Sequence, residues 1–83
     1  MKRVEVLKLM AAGWELGVSS HGGDSRVSIQ KGGQGRGGEA LTVSWTVYEA
    51  MRNRGEIEMI KPQEKFWLRK YRLVRLDKRN QGT

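Results

Sequence analysis

The stretch Leu41–Leu76, LTVSWTVYEAMRNRGEIEMIKPQEKFWLRKYRLVRL, changes its apolar period from helical to alternating at a single glycine, Gly55. Ahead of that glycine, Thr42, Ser44 and Thr46 each offer a hydroxyl that can cap a helix, and Thr46-Val47-Tyr48-Glu49 matches a capping box. A helix that begins at Ser44 turns Val47, Ala50 and Met51 inward and Thr46, Glu49, Arg52 and Asn53 outward. Arg52 and Arg54 fall in its last turn, where cations suit the negative end of the helix dipole. After Gly55, Ile57 and Met59 alternate with Glu56 and Glu58, Lys61-Pro62-Gln63-Glu64 reads as a turn, and Lys65–Leu76 reads as a long strand. Phe66-Trp67-Leu68 interrupts the alternation, so a bulge or twist is expected there. The stretch therefore demands a helix followed by a two-stranded ribbon.

The chain before it supplies a second, similar set of elements. Val4, Leu7, Ala11 and Trp14 share one helical stripe, with Val6 and Met10 beside it, and Gly13 is a natural stop. Trp14, Leu16 and Val18 alternate with polar residues, as do Val27 and Ile29, which predicts a hairpin with one buried face. Its turn is placed at Ser20-His21-Gly22-Gly23-Asp24-Ser25, longer than the favoured two-residue connection. Gly32–Gly38 holds five glycines in seven residues and reads as a flexible loop. The expected order is α-β-β-α-β-β in one α+β domain over residues 1–76, with a polar, frayed tail at 77–83.

At 83 residues there is room for one core, and without cysteine there are no disulfides, thiolate metal sites or thiol nucleophiles. The Val4–Ala12 stretch is interrupted by Glu5 and Lys8, which argues against a signal or membrane segment and makes a cytoplasmic location the expectation. The charge is unevenly placed. From Leu41 to the end of the chain there are ten Lys/Arg against five Asp/Glu, and before it six against four, so the second half carries +5 of the +7. A small, strongly basic domain most often meets nucleic acid, although such charge also serves solubility.

A helix fits the major groove, and an adjacent ribbon can follow the backbone or probe the minor groove. On that reading Ser44, Thr46, Glu49, Arg52, Asn53 and Arg54 lie along the helix that meets DNA, with Thr46, Glu49, Arg52 and Asn53 at base edges. Lys65, Arg69, Lys70 and Arg72 would meet phosphates, with Arg69 and Arg75 on one side of the strand and Lys70 and Arg72 on the other. The competing explanation is an edge strand protected from aggregation by its cations. Trp45, Phe66, Trp67, Tyr48 and Tyr71 interleave with these charges; bases could stack on them, but core packing is the expectation for Phe66, Tyr48 and Trp67.

Other patterns carry less. Gly33-Gln34-Gly35-Arg36-Gly37-Gly38 matches G-x-G-x-x-G but lacks the βαβ setting that a dinucleotide site requires. The loop is better read as an arm whose Arg36 reaches a phosphate or the minor groove, or as a plain linker. His21, the sole histidine, reads as a surface turn residue, and neither Ser20-His21-Asp24 nor Glu56 with Glu58 makes a catalytic or metal site.

Leu7–Gly13, the polar hairpin, the Gly-rich linker, Val43–Val47, Arg54-Gly55-Glu56-Ile57 and the closing Trp67–Leu73 together resemble small winged-helix-like proteins of phages and prophages. In layout the chain is similar to the YjhX-like family, whose members are described as toxins directed at a DNA topoisomerase. The resemblance covers roughly residues 4–76 and implies a winged-helix-like fold, although a hairpin and glycine loop stand where the helix before the recognition helix belongs. The functional expectation is a non-enzymatic accessory or regulatory factor, without cofactor or metal, bound to double-stranded DNA. The alternative is a protein-interaction module that inhibits a host nucleic-acid enzyme. RNA or single-strand binding is a third reading, no membrane partner is expected, and a homodimer is left open.

Overall fold

The computed structural model describes residues 1–61 and 65–74. Its elements are α1 (Arg3–Ala11), β1 (Trp14–His21), β2 (Asp24–Lys31), β3 (Ala40–Val43), α2 (Trp45–Asn53), β4 (Ile57–Met59) and β5 (Leu68–Leu73). The five strands form one antiparallel sheet in the order β3-β2-β1-β5-β4. The chain is thus α+β, but with one strand more than the expected α-β-β-α-β-β. The extra strand, β3, is only four residues long, too short for its alternation to stand out beside the glycines that precede it.

Register explains the core. Leu16 lies opposite Ile29 and Tyr71, Val18 opposite Val27, and Val27 opposite Val43, so these side chains share one face of the sheet. Both helices cover that face. Val6 and Met10 of α1 and Tyr48 and Met51 of α2 close the core with Ile57 of β4. In α2 the expected inward and outward sets hold: Met51 is buried, Val47 and Ala50 are half-buried, and Thr46, Glu49, Arg52 and Asn53 are exposed. Ser44 is the N-cap, its Oγ accepting from the Val47 N–H at 3.2 Å, so the Thr46–Glu49 capping box is not used.

The stripe expected on α1 is displaced. Val4 is 52% exposed and Ala11 is exposed, while Val6 and Met10 point inward. In this rotation Val6 and Met10 pack into the core and Arg3 pairs with Glu56, in the segment after α2. Trp14 belongs to β1 and not to the helix.

The first hairpin is tighter than expected. Pairing runs from Trp14–Lys31 to His21–Asp24, so Ser20, His21, Asp24 and Ser25 are ladder residues and only Gly22-Gly23 turns. Their φ values, 55° and 92°, are the two positive angles that a type I′ turn needs and that glycine adopts without strain. At the other hairpin, β5 begins only at Leu68. Lys65, Phe66 and Trp67 form a turn closed by the Leu68 N–H to the Lys65 carbonyl at 3.3 Å, in place of the bulged strand. Phe66 is 98% exposed at that tip, which overturns its place in the core; Tyr48 is buried as expected, and Trp67 is half-buried. Pro62–Glu64 of the expected turn, Arg75, Leu76 and the 77–83 tail lie outside the described residues. Among the described residues no helix is long and apolar enough to cross a membrane.

Candidate nucleic-acid interface

The position of β5 decides between two meanings of its cations. It lies between β1 and β4, and β4 pairs with Tyr71–Leu73, so Arg72 sits inside the sheet and does not guard an edge, while Leu68 and Arg69 run past the three residues of β4. Alternation then sorts the cations of β5. Arg69 lies opposite Val18 on the helix-covered face, while Lys70 lies opposite Gly17 and Arg72 opposite Glu58 on the other. The expected split of Arg69 from Lys70 and Arg72 is therefore present.

On that second face the glycine-rich segment folds back over the sheet. The Gln34 N–H donates to Glu15 Oε1 at 2.8 Å, and Gln34 Nε2 donates to the Glu15 carbonyl at 2.9 Å and the Ser28 carbonyl at 3.2 Å. Gln30 holds the loop's other end, accepting from the Gly35 N–H and donating to the Gly38 carbonyl. The loop expected to be flexible is thus tied down at several points, and these bonds offset the backbone entropy that its glycines would otherwise retain. Gly38 is required by close approach, since a Cβ there would stand 2.2 Å from the Lys31 carbonyl oxygen, while a Cβ on Gly17 would stand 2.7 Å from Gln34 Cδ and displace that amide from its place over the strand.

Folding the loop down in this way creates a basic cleft of about 490 Å³, lined by Gln34, Gly35, Arg36, Lys65, Trp67, Leu68 and Lys70. Three predicted phosphate contacts, Arg36, Lys65 and Lys70, come together there from the glycine-rich loop and the β4–β5 hairpin. Lys65 Nζ lies 5.0 Å from the centre of the Trp67 ring, so the cleft joins positive charge to an aromatic surface. Arg72 is bound to Glu58, its Nε 3.2 Å from Oε2, and does not line the cleft. Glu56 and Glu58 are each committed to an arginine.

The helix residues predicted to meet bases occupy the opposite side of the sheet. Thr46, Asn53 and Arg54 are exposed on α2. Ser44 is engaged in capping, Glu49 accepts from Trp45 Nε1, and the Arg52 guanidinium lies 5.6 Å from the Tyr48 ring centre. Beneath them Tyr48 and Tyr71 meet edge-on with centroids 5.4 Å apart and hydroxyl oxygens at 2.6 Å. Burial, then the hydrogen bond to Tyr71, pushes the Tyr48 hydroxyl pKa up to about 12.

Residues that organise the cleft without carrying charge, Gly17, Gln30 and Gln34, were absent from the expected site. Gly17 was the available signal, because a lone glycine inside an alternating strand marks a close approach by another group. No protein-family model matches the chain, and neither a curated protein nor a solved structure is significantly similar to it.

Proposed function

We propose that the chain is a small winged-helix-like DNA-binding protein, a non-enzymatic accessory or regulatory factor of phage or prophage type. In this reading its primary grip is on the phosphate backbone, through Arg36, Lys65 and Lys70. The observation that carries the reading is the convergence of these three cations on one cleft beside Trp67. The succession of α2 and the β4–β5 hairpin keeps the helix-then-wing order, which supports a winged-helix assignment. The wing contributes Lys65 and Lys70, and the glycine loop contributes Arg36. The exposed side chains of α2 serve as a secondary surface, since one straight duplex lying in the cleft does not also reach the far side of the sheet.

Cations that neutralise phosphates release counterions, so affinity falls with salt by a slope of about 0.9 per phosphate contacted. Titration of a labelled duplex at several salt concentrations should give a log–log slope of roughly −3 from these three residues, steeper if others contribute. The triple variant R36A/K65A/K70A should bind far more weakly and with a flatter salt dependence. Absence of wild-type binding at low salt ends this reading, and an unchanged slope in the triple variant removes the cleft from it.

A further inference from the structure

We propose that Phe66 is a base-stacking side chain: the β4–β5 tip presents its ring to the face of a nucleobase while Lys65, Lys70 and Arg36 hold neighbouring phosphates. This rests on the nucleic-acid reading above and specifies how the site engages its ligand. A phenylalanine left 98% exposed forgoes the apolar burial that the fold uses elsewhere for Tyr48, Leu16 and Ile29. Its position is defined, because the turn that carries it is closed by the Lys65–Leu68 bridge and the 3.3 Å hydrogen bond.

The surroundings select the ligand class. A docking site for an apolar protein surface presents contiguous apolar side chains. Phe66 instead stands in the chain between Lys65 and Trp67, both of which line a cleft whose described charged members, Arg36, Lys65 and Lys70, are all cations. An apolar ring bordered by positive charge suits a polyanion that also carries π-faces. Nucleic acid has both, whether the base comes from a single strand or from a duplex step opened by a wedge.

Oligonucleotides with one 2-aminopurine, as single strands and as duplexes, separate these sources. Wild-type protein should change the probe's fluorescence in one or both forms. A change in the single strand alone identifies an unpaired base, and a change in the duplex identifies an opened step. F66A, a substitution at a solvent-exposed position, should abolish the change and weaken binding roughly 5- to 150-fold, the range for loss of one stacked base. Its salt slope should match wild type, since no cation is removed. F66L keeps apolar bulk without a π-face and should also lose the signal. If wild type binds and F66A matches it in both affinity and signal, stacking by Phe66 is overturned while DNA binding stands. If wild type binds neither form at low salt, both readings fall together.

Discussion

The two faces of the sheet are finished by different physics. One is closed by Val6, Met10, Tyr48 and Met51 packing onto Leu16, Val18, Val27, Ile29 and Tyr71, a contact held by apolar burial and tolerant of little change in volume. The other is covered, among the described residues, by a glycine-rich loop that hydrogen-bonds to Glu15, Ser28 and Gln30 and leaves a charged cleft at its side. Folding energy is therefore concentrated on one side and ligand-binding potential on the other. Substitutions on the two sides should separate accordingly: the packed face governs stability, and the open face governs affinity.

The strongest challenge to that division is Tyr48→Ala. Removal of a fully buried ring from a small core should cost about 3–5 kcal/mol, the range for large aromatics cut to alanine. That is a large share of the roughly 5–15 kcal/mol that ordinarily holds a domain. Urea denaturation followed by circular dichroism should show a midpoint displaced far toward zero, or a chain already unfolded. Arg36→Ala, at an exposed position of the cleft, should by contrast stay within about 0.5 kcal/mol of wild type, as surface changes usually do. Similar losses from both substitutions would break the comparison.

The same tyrosine gives the division a pH signature. Its hydroxyl, ordinarily with a pKa near 10.0, is pushed up to about 12 in the fold, first by burial and then by the bond to Tyr71. Between those two values the unfolded chain has released a proton that the native state still holds, so stability falls as pH rises. It is fully present below pH 10 and lost progressively toward pH 12. Denaturation midpoints collected across that window should decline in wild type, and Tyr48→Phe should flatten this part of the decline. A profile identical in the two proteins would mean that the Tyr48 proton is not linked to folding.

The packed face was the more legible of the two in the sequence, and the reason is periodicity. Leu16, Val18, Val27 and Ile29 alternate, and Val47, Ala50 and Met51 recur at helical spacing, so burial left a pattern that could be read locally. α1 was legible as a helix but not in its rotation, because that depends on contacts far away in the chain, the core packing of Val6 and Met10 and the pairing of Arg3 with Glu56. The open face depends on contacts of the same non-local kind. Nothing around Gln34 announces that its amide will lie over Gly17, and the composition of its loop favours mobility; hydrogen bonds to Glu15, Ser28 and Gln30, which lie on the neighbouring strands, hold it down. The tip of the second hairpin misled for another reason. Phe66-Trp67-Leu68 has the composition of a core strand, and the turn that exposes Phe66 replaces the bulge that the broken alternation implied.

The smallest expected effect is the one that most sharpens the comparison, because it sets α2 against the cleft. If the cleft carries the phosphate grip, Arg52→Ala should leave duplex affinity within about twofold and the salt slope unchanged, since its guanidinium lies against Tyr48 on the far side of the sheet. Lys70→Ala should weaken binding similarly across sequences and reduce the magnitude of the slope by about one. Both variants should first be shown to keep the wild-type urea midpoint, so that a change in binding is not a change in folding. The reverse result, a reduced slope or a shift in sequence preference for Arg52→Ala with Lys70→Ala silent, would place DNA on α2 and restore it as the groove-reading element. Intermediate effects from both would instead require DNA to bend around the domain, because the two side chains lie on opposite sides of a five-stranded sheet.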